Sequence, residues 1–172
     1  MNYNNKILFH TCCAPCSIKL IKKLNNITIL FYNPNIHPYN EYEKRKLSII
    51  EIATKMNIPF IDCDYEKSFW FKKIKKYSFL KEKNKRCTIC FDIRLKYTAF
   101  FAYKYGFKKI TSSIGISNKK NLTYINSIGL KIVKNYKNLD YLTYNKKIEN
   151  NYNNNMYFQN YCGCIFSKKT IY

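Results

Sequence analysis

Seven of the eight cysteines in this chain fall into three tight groups: Cys12-Cys13-x-x-Cys16, Cys87-x-x-Cys90 and Cys162-x-Cys164. The groups lie far apart in sequence, so the fold must bring them together for their sulfurs to act jointly. Adjacent cysteines, or pairs one or two residues apart, set several thiolates around one centre. That spacing suits a metal site better than a disulfide framework. Four thiolates complete a structural zinc site or an iron–sulfur cluster. Seven leave sulfur to spare, and the surplus points to chemistry beyond a structural staple. Spacing alone does not choose iron over zinc.

With 172 residues, 47% of them hydrophobic, the chain is long enough to bury one core without cross-links. Only a short Ile7-Leu8-Phe9 run follows the polar first residues, which does not resemble a secretory leader. No apolar stretch reaches the length of a membrane span. A cytoplasmic protein with reduced thiols and no membrane partner is expected, a setting that favours metal-binding or catalytic cysteines.

The net charge is +21. Nearly all of it is lysine, accompanied by abundant Asn, Ile and Tyr, a composition that an AT-rich genome also produces. A surface this basic still attracts polyanions through counterion release and long-range steering, and RNA is the natural candidate. Arg45, Arg86 and Arg94 are the only arginines. Their planar forks suit phosphate in a way lysine cannot copy, so they are candidate substrate contacts.

Strand and helix patterns alternate along the chain. Strands are expected at 6–10, 27–32, 59–63 and 108–111, with a weak one at 130–133. Helices are expected at 17–24, 39–56, 66–76, 88–105 and near 120–127, with Gly106 capping the fourth. Residues 81–86 read as a charged loop and the Asn-rich stretch 145–155 as another. This alternation argues for a single-domain parallel α/β sheet spanning 1–172. Ligands in such folds sit at the carboxyl edge of the strands, where the first cysteine group and the Ser112–Ser113 loop would both lie.

Other residues qualify as site candidates. Cys12, Cys13 and Cys16 occupy a strand-to-helix turn, where backbone amides favour thiolates. Asp92, two residues after Cys90, offers an oxygen ligand, or else is a solvated helix acid. His10, immediately before the first cysteine turn, is a proton donor or a satisfied structural histidine. His37, Tyr39 and Glu41 follow an Asn-Pro-Asn turn and shape a substrate mouth or stabilise the loop. Cys63 stands apart from the groups and reads as a small buried hydrophobe. Neither GxGxxG nor a GKS/T phosphate loop is present, so a nicotinamide or ATP site has no motif support.

Several blocks together resemble the QueH-type epoxyqueuosine reductases. They are His10-Thr11-Cys12-Cys13-Ala14-Pro15-Cys16-Ser17, then Tyr32-Asn33-Pro34-Asn35-Ile36-His37-Pro38 with Glu41, Tyr42 and Arg45. Arg86-Cys87-x-x-Cys90-Phe91-x-x-Arg94-Leu95 and Gln159-x-Tyr161-Cys162-Gly163-Cys164 with Ser167 complete the set. The blocks run in order across residues 10–167. The resemblance implies reduction of epoxyqueuosine, at the wobble position of a tRNA anticodon, to queuosine. It also implies a three-layer Rossmann-like fold of the nucleotide hydrolase-like group, a 4Fe-4S cluster and an adjacent mononuclear iron. Cys12, Cys13, Cys16, Cys87, Cys90, Cys162 and Cys164 would be the metal ligands. His10, Asp92, a tyrosine or metal-bound water would supply the proton, and a separate electron donor the reducing equivalents. Two other classes compete: a zinc-bearing RNA-binding module, and a sulfur-transfer enzyme acting on tRNA.

Overall fold

The computed structural model describes residues 5–117, 120–144 and 156–168. Its frame is one five-stranded, wholly parallel sheet in the order β3-β2-β1-β4-β5. The strands are β1 Ile7–His10, β2 Ile27–Phe31, β3 Phe60–Asp62, β4 Lys109–Ser112 and β5 Asp140–Tyr141. Interior strand β2 is buried along its whole length, which explains its largely apolar sequence.

Alternation along the strands builds two cores. Phe9, Ile29 and Phe31 point to one face, beneath α1 (Ala14–Ile21) and α2 (Tyr39–Lys55), where Leu20, Ile21, Ile49 and Ala53 meet them. Leu8, Leu30 and Ile110 point to the other, beneath α4 (Lys85–Tyr105) and α5 (Leu122–Val133), against Leu95, Ala99, Ala102 and Ile125. The result is the expected three-layer, Rossmann-like α/β architecture. A third cluster forms where α3 (Lys67–Ile74) packs Trp70 and Ile74 against Cys90 and Cys164.

Two boundaries shift in ways that matter for the site. Helix α1 starts at Ala14 rather than at 17, with Cys13 as its N-cap and Pro15 in the first turn. Helix α4 starts at Lys85, so Cys87 lies inside its first turn instead of in the preceding loop. Its far end is closed by Gly106 at φ 80°, as expected.

Residues 130–133 are not a strand. The Asn121 side chain caps Tyr124 N–H at 3.0 Å, and α5 then runs unbroken to Val133. Ile125, Gly129, Ile132 and Val133 are buried along it, a helical spacing that outweighs the β-branched character of its last turn. The fifth strand comes later, at Asp140–Tyr141, and the Tyr141 ring fills the space above Gly129. The Asn-rich stretch 145–155 lies outside the described residues.

Candidate active site

Strand order reverses between β1 and β4, and the crevice beyond their carboxyl ends is a topological switch point. The first cysteine turn leaves β1 there. Cys12 Sγ lies 3.9 Å from Cys13 Sγ and 3.8 Å from Ser113 Oγ, which follows β4. The Cys13 sulfur accepts the Gln159 amide at 3.0 Å. Crowding among these thiols opposes the thiolates expected at this helix start. Contact with Cys13, followed by burial, raises the Cys12 pKa well above its ordinary value. For Cys13 the Cys12 donor acts downward, but Cys16 and burial outweigh it and push the pKa to about 12. Thiols crowded in a buried turn compete for one negative charge, and this outweighs the helix terminus.

A second thiol group forms around Trp70. Cys87 and Cys90 project from the first turns of α4, and Cys87 Sγ accepts the Lys83 N–H at 3.3 Å. Cys162 and Cys164 come from segment 156–168 and pack with Cys90 around Trp70. Within the pair, the proton is unevenly shared. Donation from Cys164 holds the Cys162 thiol below its ordinary value against the effect of burial, helped by Lys120, while Cys164 is pushed up. Burial raises Cys90.

Segment 156–168 crosses the body of the fold as a strap. Arg45 Nη2 donates to the Tyr161 carbonyl at 3.0 Å, and its Nε donates to Glu41 at 2.7 Å. The His37 N–H donates to the Gly163 carbonyl at 2.8 Å, and the Tyr161 hydroxyl donates to the His37 carbonyl. Tyr157 donates to the other Glu41 oxygen at 2.5 Å. Arg86 donates to the Phe166 carbonyl at 3.4 Å and to Ser167 Oγ at 3.2 Å. Arg45 and Arg86 are thus buried clamps on the strap, not guanidinium groups presented at the surface.

Arg94 is buried as well, and donates to Asn33 Oδ1 at 2.7 Å. Four residues on from Cys90, it shares that residue's helix face. Asp92 is about 200° around the helix from Cys90, and its Oδ2 pairs with Lys96 at 2.8 Å. His10 is fully buried, with Nδ1 2.9 Å from Ser112 Oγ and Nε2 3.0 Å from the Tyr32 carbonyl. Burial, then Arg94, keep it neutral, so Nε2–H donates to the carbonyl and Nδ1 accepts from the serine. His37 is buried among Tyr65, Trp70 and Phe71, and burial lowers it to about 4. Tyr39 is exposed and stacks on Tyr42. Cys63 sits in the core, as expected.

Several contributors carried no signal in the sequence beyond their neighbourhood. Trp70 walls the second thiol group. Glu82 resists burial as a carboxylate through hydrogen bonds from Ser167 and Cys162 and the charge of Lys120. Gln159 stood within a recognisable block, but only the fold reveals its sulfur partner.

Among the described residues, no three Cys, His, Asp or Glu side chains converge closely enough, as they stand, to hold a metal ion. The donor set still fits a thiolate-bound metal group in its chemistry. Thiols of both groups lie within electrostatic reach of Arg94, and thiolates are soft ligands suited to iron–sulfur clusters and zinc. Arg94 adds an independent observation. It acts electrostatically on both Cys12 and Cys90, its Nε has no hydrogen-bond partner, and no carboxylate of the described residues pairs with it. A buried cation so placed calls for negative charge between the two thiol groups.

A parallel α/β sheet with one cysteine turn at its switch point, a second thiol group around Trp70 and no phosphate loop fits a cysteine-dependent α/β enzyme. The family model described as "Epoxyqueuosine reductase QueH" matches residues 7–170. The chain is 43% identical to an Epoxyqueuosine reductase QueH of Acinetobacter baylyi, over 95% of this chain and 80% of that one. It is 41% identical to one of Haemophilus influenzae, over 95% and 72% of the two chains. A more distant relative from Thermotoga maritima, also named Epoxyqueuosine reductase QueH, is 33% identical over 94% and 89%. This chain belongs to the QueH family of epoxyqueuosine reductases, which are oxidoreductases.

Proposed function

We propose that this one domain reduces epoxyqueuosine at the wobble position of tRNA to queuosine. The observation that carries this reading is that the 156–168 strap reaches both thiol groups. Gln159 of the strap touches Cys13 while Cys162 and Cys164 pack with Cys90. The reaction breaks both C–O bonds of the epoxide, forms a carbon–carbon double bond and releases the oxygen as water. It consumes two electrons and two protons.

Cys12, Cys13, Cys16, Cys87, Cys90, Cys162 and Cys164 are the proposed ligands of a 4Fe-4S cluster and a neighbouring iron. Bound there, these would supply electrons one at a time and a Lewis acid for the departing oxygen. The protein's own contribution is holding and shielding. Arg45 and Arg86 fasten the strap, and with it Cys162 and Cys164, over the crevice. Arg94 offsets thiolate charge. His10 braces Ser112 against Tyr32 and has no ring nitrogen left for the substrate, so it acts as a positioning residue. The Tyr144 hydroxyl donates to the Ser112 carbonyl at 2.7 Å and braces the turn that follows β4. An external electron donor completes the cycle. The reaction is placed in the cytoplasm, and none of the described helices is long and apolar enough to cross a membrane.

The test is anaerobic purification followed by iron and sulfide analysis, then incubation with epoxyqueuosine-containing tRNA and dithionite, without cobalamin. Queuosine in the nucleoside digest is the expected result. A colourless protein holding zinc alone, or an iron-replete one that forms no queuosine, overturns the assignment.

A further inference from the structure

Beside Cys87 lies a cavity of about 870 Å³, between the first turns of α4 and α5. Its volume falls within the usual range for small-molecule sites, and suits a nucleoside. Lys83, Lys85 and Lys120 line it, and no carboxylate does so among the described residues. Phe91 offers a ring there, with Lys120 Nζ 5.7 Å from its centroid. Asn126 also lines the cavity, and its amide oxygen is buried without a hydrogen-bond partner. A buried acceptor left open costs stability unless a ligand donates to it. An aromatic face, an open amide and a ring of cations form the chemistry of a single-stranded nucleotide site. The three arginines first suited to phosphate are buried within the fold, whereas these lysines line the cavity.

We propose that this cavity receives the unstacked wobble nucleotide, its base against Asn126 and Phe91 and its flanking phosphates on Lys83, Lys85 and Lys120. This rests on the proposed function for the identity of the nucleotide, but not for the binding of an RNA loop. Cys87 in the cavity wall places the nucleotide against the thiols.

The experiment is anisotropy titration of a labelled anticodon stem–loop RNA at several salt concentrations. Wild type is compared with Lys83→Ala/Lys85→Ala/Lys120→Ala and with the charge-matched control Lys55→Ala/Lys104→Ala/Lys131→Ala. The cavity variant is expected to bind at least tenfold more weakly at low salt. Its log–log salt slope should be flatter by about 2, since each single-strand phosphate contact contributes about 0.7. The control should change much less, with the three proteins compared at matched visible absorbance. Asn126→Leu is expected to raise KM for modified tRNA while leaving the salt slope unchanged. Equal losses in the two triple variants, or no binding of the loop by wild type, overturn the proposal. RNA binding that depends on the lysines without queuosine formation would sink the reductase reading and leave the cavity assignment standing.

Discussion

The Gln159 side chain donates its amide N–H to the Cys13 sulfur at 3.0 Å, joining the strap to the turn that leaves the central strand. A sulfur that accepts such a bond is held in one orientation, and partners of this kind tune metal ligands without binding metal themselves. Replacing Gln159 with Leu is expected to lower turnover and iron retention by about 10–100-fold. The fold itself should lose only about 1 kcal/mol. Chelator-challenge kinetics set beside thermal melts separate the two effects; equal iron loss from variant and wild type would remove Gln159 from the site.

Two glycines at positive φ should respond differently to alanine. Gly106 (φ +80°) has nothing within 4 Å of a Cβ position, so its substitution costs backbone strain alone, about 1 kcal/mol. At Gly163 (φ +95°) a Cβ would meet Ile36 Cγ1 at 2.9 Å and Arg45 Nη1 at 3.2 Å. Crowding adds to strain there, for a total of about 2–4 kcal/mol. Urea denaturation of the two variants should rank them in that order, and only Gly163→Ala should also displace Cys162 and Cys164.

Stability should fall in mild acid. His10 and His37 are both held neutral, so their folded pKa values lie below the unfolded 6.5, with His37 at about 4. At pH 7 neither state is charged. Below 6.5 the unfolded chain takes up protons that the folded chain refuses, and stability is lost down to the folded pKa. For His37 the loss by pH 4 is about 2 kcal/mol once solvent screening is allowed for. His37→Gln should flatten the stability–pH curve between pH 6.5 and 4; an unchanged curve would refute this account.

Cys162 should be the most acid thiol of the strap. In metal-free protein, iodoacetamide labelling of Cys162, read by peptide mass spectrometry, should be half-maximal at a lower pH than for an ordinary thiol. Cys164 should stay unlabelled until well above pH 9. Charge reversal by Lys120→Glu should move the Cys162 midpoint upward, because the lysine helps hold the thiolate.

The sequence made much of this legible, and its failures have physical causes. Helical and strand periodicities located four strands and most helices, and Gly106 marked the end of α4. The last turn of α5 read as a strand because Ile132-Val133 is β-branched, and β5 was missed because two residues carry no periodicity. The first cysteine group follows β1 at the switch point, as its place after the first strand suggested. The arginines were harder to place. A sequence displays their charge but not their burial, so groups apt for phosphate proved to be clamps on the strap. Asp92 followed Cys90 closely in sequence, yet the helical turn carries it round to Lys96. The three cavity lysines were hidden among many others until the fold placed them around one opening.

Arg94 has a consequence for the life of the molecule in the cell. Its charge is sealed inside, with Asn33 as its hydrogen-bond partner and Cys12 and Cys90 within electrostatic reach. While those sulfurs keep their protons, the cation is an uncompensated burden on the native state. Once they become anionic ligands, the same cation strengthens that state, and maturation is linked to folding by mass action. A chain that never matures should therefore open more often and be degraded sooner, so that housekeeping proteolysis enriches the pool in working enzyme.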